Sequence, residues 1–415
     1  MVRKGNMLQK LPKMIRGKCG EKTEGKESVD RISQLPNCIL LCIMAFMTTK
    51  EAVRTCVLSK RYKDLWKYVP ALIVRSTEFQ NLEFFKNFLC NFLLHRDNST
   101  ALHNVVVESE GYITNPILFK LFQYALSHKV EQFKIDVYSF GFVPKDTEFF
   151  CSIFSCHSLT SLDLSLRHCR GKAILPKTLD LPELINCHLR KVAFSSSDDY
   201  NGPAEPFSNC KKLRTLVIDC CTLHEAESLY ILNENVVNLT VRFNILNCHP
   251  SNVQICTPNL ISFTFVGGLL SDGGAVHTLF EHNLDFLEEA RIEAWCVLPT
   301  PKIAGTLQKL LKRFNHIKSL TLSSATLEVV AVIPDFPDAE PVGFGNLKSL
   351  IVKLDPFARP PCGEALDYLR RDSQCAAATL TQALELTLLL FLYCSRSEMP
   401  SYYDEGMAFF IIDDV

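Results

Sequence analysis

The chain has 415 residues, too long for one small module; a prior near one domain per 150 residues predicts two or three units, or one long repeat array. Hydrophobic residues make up 47% and charged residues 21%, an ordinary globular mix that excludes wholesale disorder. Lys plus Arg at 44 against Asp plus Glu at 45 leaves a net charge of -1, so charge gives no reason to expect a nucleic acid or an anionic membrane as partner.

Eighteen cysteines are the unusual feature of the composition. They would suit a disulfide framework in a small secreted chain, but the first 20 residues, MVRKGNMLQKLPKMIRGKCG, have six basic groups and no apolar core. The expectation is therefore reduced thiols in a protein of the nucleus and/or cytoplasm, with residues 1–29 as a disordered basic tail. The longest apolar runs, Cys38 to Met47 and Leu386 to Cys394, span 10 and 9 residues, about half of the ~20 that a spanning helix needs. No membrane partner is expected.

The composition changes at residue 30. Ile39, Leu40, Ile43 and Phe46 follow the spacing of one helical face, with Pro36 before them as a good first-turn residue. Thr48 followed by Glu51 three residues on is a capping box, which predicts a second helix with Ala52, Val53, Cys56 and Val57 as its apolar stripe. Ser59 can cap a third helix through Tyr62, Leu65 and Trp66, stopped by Pro70. Three helices in so short a segment expose more apolar surface than their own core can bury, so a partner is expected to cover part of it.

The phrases LPxxIL at Leu35 to Leu40, EAVRTCVLSKRY at Glu51 to Tyr62 and LWKYVP at Leu65 to Pro70 closely resemble the plant type of F-box, over residues 30–74. The resemblance implies docking on a Skp-type adaptor, and through it on the cullin and RING subunits of a ubiquitin ligase. Carried over by position, Leu35, Pro36, Ile39, Leu40 and Ile43 form the adaptor-facing patch, completed by Val57, Leu58, Ser59, Arg61 and Trp66. The other reading of these residues is the core of a small helical domain.

Residues 75–101 are a helical linker, in which Phe79, Leu82, Phe85 and Leu89 close the first repeat as a cap. From there a repeat is visible without any family knowledge. Windows of the LxxLxL type start at Leu102, Val130, Leu159, Leu184, Leu213, Val236, Leu260, Leu287, Ile317 and Leu347. The intervals are 23 to 30 residues with a mean of about 27, within or just above the leucine-rich-repeat range of roughly 20–29. The tenth position after each start is bulky or apolar throughout: Tyr112, Phe140, Cys169, Phe194, Leu223, Leu246, Leu270, Val297, Leu327 and Phe357. The eighth, which takes Asn or Cys in a regular repeat, is Cys221 and Asn244 in two copies and something else in others, such as Arg167, so the ladder is irregular. The fold class expected is α/β: an N-terminal three-helix F-box, then a curved leucine-rich-repeat solenoid of about ten irregular repeats over residues 102–358.

Positions +2, +4 and +6 of each window point away from the core. These thirty residues include six acids and five bases, a mixed, hydroxyl- and amide-rich surface that suits a protein substrate better than a nucleic acid. Asp136, Asp163, His188, Arg190, Asp219, Arg242, Glu289, Arg291 and Glu293 are the candidate substrate-binding residues; the alternative is a merely solvated sheet with binding on the loops.

No catalytic, cofactor-binding or metal-binding residue is assigned. No two cysteines are three apart, so zinc-ribbon spacing is missing, and pairs such as Cys38 with Cys42 or Cys151 with Cys156 lack matching partners. Cys156–His157, Cys187–His188 and Cys248–His249 are adjacent residues that face opposite sides of a strand. The cysteines read as small buried filler. GGLLSDGG at Gly267 to Gly274 reads as a flexible turn rather than a phosphate loop, because no Lys-Ser/Thr follows it.

Many similar plant proteins carry a further domain after the repeats, which the sequence here does not reveal. Residues 359–415 read as a helical cap or a divergent tail, with one or two helices over Ala365 to Ser395 and Leu380, Leu384, Leu388 and Phe391 covering the array's end. The expected function is that of a non-catalytic substrate receptor. The alternative is a scaffolding repeat protein whose F-box-like helices only cap the array; a small-molecule co-receptor is a third and more distant reading.

Overall fold

The computed structural model of the protein describes residues 32, 34–139, 152–168, 173–196, 202–243, 253–269, 279–280, 283–296, 298–354, 363–375 and 378–382. The expected basic tail lies outside these, as do Phe140, Cys151, Cys169, Asn244, Leu246, the Cys248–His249 pair, Leu270, Val297, Phe357, Leu384, Leu388 and Phe391. The chain divides into two units, residues 1–40 and 41–415.

In the first unit a turn at Leu35, whose N–H donates to Ile32 O at 3.1 Å, leads into the helix Asn37–Met44, and Pro36 O accepts from the N–H groups of Ile39 and Leu40. The helical stripe read from the sequence splits in two. Leu40 and Met44 are buried, while Ile39 and Ile43 are exposed, each pair four residues apart, so the helix carries apolar side chains on more than one face.

In the second unit the capping box at Thr48 is present: its hydroxyl accepts from Glu51 N, and the Glu51 carboxylate accepts from Thr48 N, opening the helix Thr49–Arg54. The third helix expected from Ser59 is not formed. Hydrogen bonds from Tyr62 N to Ser59 O, Leu65 N to Tyr62 O, Lys67 N to Asp64 O and Val69 N to Trp66 O all span three residues. They give turns and the short 3-10 helix Leu65–Tyr68 in place of an α-helix. Three residues per turn superposes Tyr62 and Leu65, both buried, and Val69 is already extended before Pro70. The F-box segment therefore holds two α-helices and short 3-10 turns rather than three helices.

The strands in chain order are β1 (Ala71–Arg75), β2 (Asn104–Ile113), β3 (Gln132–Ser139), β4 (Ser161–His168), β5 (Asn186–Arg190), β6 (Ala193–Ser195), β7 (Thr215–Asp219), β8 (Thr222–His224), β9 (Leu229–Leu232), β10 (Asn238–Arg242), β11 (Val253–Cys256), β12 (Ser262–Gly268), β13 (Glu289–Trp295), β14 (Ser319–Ser323), β15 (Ser349–Leu354) and β16 (Ala378–Gln382). Twelve of them form one parallel sheet in chain order, from β1 to β16, with β6, β8, β9 and β11 left out. Ten begin two residues after an expected window start, from Asn104 after Leu102 to Ser349 after Leu347. The rungs stay in register: Asn104 is opposite Gln132, Gln132 opposite Ser161, and so on to Ser319 opposite Ser349.

Alternation decides which face is buried. Val105 and Val107, Phe133 and Ile135, Leu239 and Val241, Leu350 and Val352 all point into one continuous core, while their neighbours face outward. The core is deepened by phenylalanines from the return segments, such as Phe280 and Phe314 around Phe263, with ring centroids 4.9 and 6.2 Å from it.

The returns differ in what they hold. Some hold helices: Asn115–Ser127 between β2 and β3, Pro301–Lys312 between β13 and β14, and Ser324–Val330 between β14 and β15. Several central returns hold short strands instead, which pair as β6 with β8 and β9 with β11. The sheet is not the curved one expected. Where a return is itself a strand, its spacing matches that of the main sheet, and no wider layer forces a bend.

Three further expectations change. β1 lies across the expected boundary between residues 74 and 75 and pairs with β2, so the last residues of the F-box segment open the sheet. The segment expected to be one or two helices from Ala365 holds the helix Gly363–Arg370 and then β16, where β-branched Thr379 and Thr381 stand opposite Ile351 and Lys353. Gly267 and Gly268 are strand residues opposite Ala294 and Trp295, not a turn; a side chain at Gly267 would sit 3.3 Å from Phe243 Cβ.

Between β1 and β2 the helix Leu82–His95, capped by Asn81, buries Phe85, Leu89 and Phe92. Just after it, buried Arg96 donates to the carbonyls of Val69, Asp97, Thr100 and Ala101 and to the Tyr124 hydroxyl, at 2.8 to 3.3 Å.

Candidate functional site

The F-box residues carried over by position take different places. Pro36 and Ile39 in the first unit are exposed and Leu35 is partly buried; in the second, Ile43, Val57, Leu58, Ser59 and Arg61 are exposed. Leu40 does not join them: it is buried, because it shares the inward stripe with Met44. Trp66 is half-buried and packs on Phe92, ring centroids 5.6 Å apart, so its indole belongs largely to the core. Phe46, just past the helix end, is the most exposed large apolar residue among the described residues, and sequence reasoning had placed it on the helical stripe. Exposed Ile43, Phe46, Val57 and Leu58 within so short a segment are the signature of a surface meant to be covered.

The same segment is joined to the sheet. Thr49 is buried and its hydroxyl accepts from Ile73 N at 2.8 Å, occupying a backbone donor on the edge strand β1. Lys50 donates to Glu78 O, and its ammonium lies 4.4 Å from the Phe79 ring centroid.

The outward rows of the sheet carry the expected substrate-facing residues, and most are ion-paired. On β1 to β5, Glu108 receives Arg75 at 2.7 Å and Lys134 at 2.8 Å, and Asp163 receives His188 at 3.2 Å and Lys134 at 3.9 Å. Asp136 receives Arg167 at 2.7 Å, whose guanidinium lies 4.5 Å from the Tyr138 ring centroid. Burial would raise the Glu108 carboxyl, but hydrogen bonds from Lys134 and Arg75 outweigh it and hold the group below the usual carboxylate range. The same hydrogen bond, donated by Lys134 to Glu108 and opposed by partial burial, raises Lys134. For Arg167, burial opposes the charge and Asp136 more than restores it.

Toward the other end of the sheet, Asp219 receives Arg190 at 3.1 Å and Arg242 at 3.5 Å, and Glu293 receives Arg291 at 2.6 Å and Lys353 at 3.2 Å. Glu289 is exposed at the start of β13. The structure thus places all nine expected residues on one face, links seven of them into separate ion-pair groups and sets His188 Nδ1 3.2 Å from Asp163. Arg75, Glu108, Lys134, Arg167 and Lys353 complete those groups. Glu108, Lys134 and Lys353 were legible from their +4 and +6 positions, whereas Arg75 sits on a strand that no window marked and Arg167 at the repeat's polar position.

The cysteines divide by burial. Cys156, Cys187, Cys210, Cys221 and Cys375 are buried, as filler should be, but Cys38 and Cys42 are exposed, and the other described ones are intermediate. Burial raises the Cys187 thiol well above its usual value and pushes Cys210 up to about 11. Cys221 fills the repeat's eighth position, its thiol donating to Leu189 O at 3.3 Å. Among the described residues no cluster of His, Cys, Asp and Glu could hold a metal ion, and no helix is long and apolar enough to cross a membrane.

Residues 32–73 match the F-box domain family. Among curated proteins, the chain is similar to F-box/LRR-repeat protein 13 of Arabidopsis thaliana, 28% identical over 53% of this chain and 47% of that one, so the match spans under half of that relative. An FBD-associated F-box protein of the same plant is 28% identical, covering 71% of this chain and 69% of its own, and an F-box/FBD/LRR-repeat protein is 27% identical over 80% and 74%. F-box domains in general bind a Skp-type adaptor, and F-box proteins with leucine-rich repeats are in general non-catalytic adaptors. The F-box match, the in-register parallel ladder and these relatives together support a plant F-box protein with leucine-rich repeats.

Proposed function

We propose that the chain is the substrate-recognition subunit of an SCF-type (Skp, cullin, F-box) E3 ubiquitin ligase, acting without catalysis of its own. The F-box segment docks a Skp-type adaptor, and through it the cullin and RING subunits. The leucine-rich-repeat array of about ten irregular repeats presents its outward face to a target protein, for ubiquitination and degradation in the nucleus or cytoplasm. The mechanism is proximity: two binding surfaces on one chain raise the local concentration of a target lysine near the conjugating enzyme. The observation that carries the reading is the set of F-box positions Ile39, Ile43, Val57 and Leu58, left both apolar and exposed.

Capture of a Skp-type adaptor by the full chain tests it. Capture is expected to be lost in the Leu35→Ala/Pro36→Ala variant and in Val57→Asp/Leu58→Asp. If both double variants capture the adaptor as well as the parent does, the docking assignment is wrong. The hydrogen bond from Ile73 to Thr49 supports the second reading, a scaffolding protein whose F-box-like helices cap the sheet edge. That reading predicts no adaptor capture by the parent chain, and no interactor that accumulates when the proteasome is blocked.

A further inference from the structure

Counted from the sequence, the outward face is nearly neutral, but burial is not shared equally between its charges. Around Asp219 and Glu293 the acids are sunk, with side chains 4% and 9% exposed, while Arg190, Arg242, Arg291 and Lys353 remain 28 to 38% exposed. An approaching ligand meets the bases first. In the cluster on β1 to β5 the acids are 26 to 29% exposed against 27% for Arg167 and 42% for Arg75 and Lys134, and there three reachable acids offset three bases, so the cluster is neutral.

Each of the two sunk acids carries two bases, so each triad has a net charge of +1. The acid uses one oxygen for both partners, Asp219 Oδ2 in one triad and Glu293 Oε1 in the other. Asp219 meets Arg190 at its Nε and Arg242 at its Nη1. Both acids lie on the same row, on β7 and β13, with β10 and β12 between them. Three strand spacings of about 4.8 Å separate them by roughly 14 Å, the span of about four residues of extended chain.

We propose that the β5 to β15 part of this face binds an extended acidic segment of the target protein, with carboxylates about four residues apart, one received by each triad. The inference rests on the substrate-receptor reading and names the chemistry of the substrate. The protein's net charge of -1 gives no general attraction for acidic peptides, so binding has to come from this face. Val266, buried on the same row between Arg242 and Glu293, keeps the middle of the site apolar. Glu289, two positions before Arg291, sits on a different row and would repel a segment that strayed from the triads.

The test uses the full chain at low ionic strength and a fluorescein-labelled dodecapeptide of Gly and Ser with glutamates at positions 4 and 8, read by anisotropy. Binding is expected to be roughly tenfold tighter than for the glutamine version of the peptide. Arg242→Gln should weaken it by roughly fivefold and Asp219→Asn should tighten it by a similar factor, while Arg75→Gln in the neutral cluster leaves it unchanged. Opposite signs separate recognition from damage to the fold, which would weaken binding in both variants. Equal binding of the glutamate and glutamine peptides, or shifts of the same sign in Arg242→Gln and Asp219→Asn, would overturn the proposal. So would tighter binding of a single-stranded oligothymidine, which would identify a nucleic-acid face. Adaptor capture is measured on the same preparations: its loss counts against the ligase role alone, and loss of peptide selectivity against this inference alone.

Discussion

Arg96 offers the sharpest test of how the F-box segment is held to the sheet. Its guanidinium is buried and reaches Val69 O from the end of the F-box segment, three carbonyls of the following loop, and the Tyr124 hydroxyl on the first return helix. Arg96→Met keeps much of the side chain's volume and removes every donor. Each stranded buried acceptor costs roughly 1–3 kcal/mol; those in the loop can recover water, so the expected loss is about 3–5 kcal/mol. The chain has two tryptophans, and in a Trp295→Phe background Trp66, packed on Phe92 one turn before Arg96, is the sole indole reporter of this junction. Urea unfolding followed by Trp66 fluorescence should show the loss, and Arg96→Lys, which keeps a charge but not the planar fork, should fall between the two. An unfolding free energy for Arg96→Met within about 1 kcal/mol of the parent would mean that the bonds to Arg96 are replaceable by water and that the junction is held by apolar packing alone.

Thiol titration of the native protein should label Cys38 and Cys42 first and leave Cys156, Cys187, Cys210, Cys221 and Cys375 unreacted until unfolding, and mass mapping that finds Cys187 among the early sites would contradict its burial. Glu108, whose carboxyl is held below its ordinary value of 4.5, contributes stability that is present above that pH and lost as pH falls through the folded-state value. Glu108→Gln should therefore flatten the acid limb of the stability profile below about pH 4.5, by less than about 1 kcal/mol because the pair is partly exposed; superimposable limbs for parent and variant would count against the pairing with Arg75 and Lys134.

The ten window starts were legible because the repeat's period and the strand's alternation agree: once Leu102 and its counterparts are aligned, each strand follows two residues later. β1 and β16 were not legible, because each has a single turn of the pattern and lies beside a segment with a stronger competing signal, the F-box phrases before one and the Leu-rich run after the other. The third F-box helix failed for a local reason. Between Ser59 and Pro70 the chain uses three-residue hydrogen bonds that place Tyr62 and Leu65 together in the core, and the apolar spacing in the sequence fits either helix. Arg96 gave no signal at all, since a buried arginine paired with carbonyls has no acidic partner to mark it. The candidate substrate face was legible in position but not in sign, because a count of charges weighs Asp219 and Arg242 equally while the structure sinks one and leaves the other in reach.

The hydrogen bonds from Arg96 to Val69 O and the pairing of β1 with β2 bear on how such a chain can be recombined. A chimera joined at residue 74 would cut through the strand β1 and separate Val69 from Arg96. Swapping target specificity between members of this group would keep the F-box, the linker helix and the Arg96 loop as one cassette, with the graft point beyond Ala101 in a later return. The transferable F-box end of this protein thus runs over residues 32–101, about 70 residues, against 42 for the matched F-box segment itself.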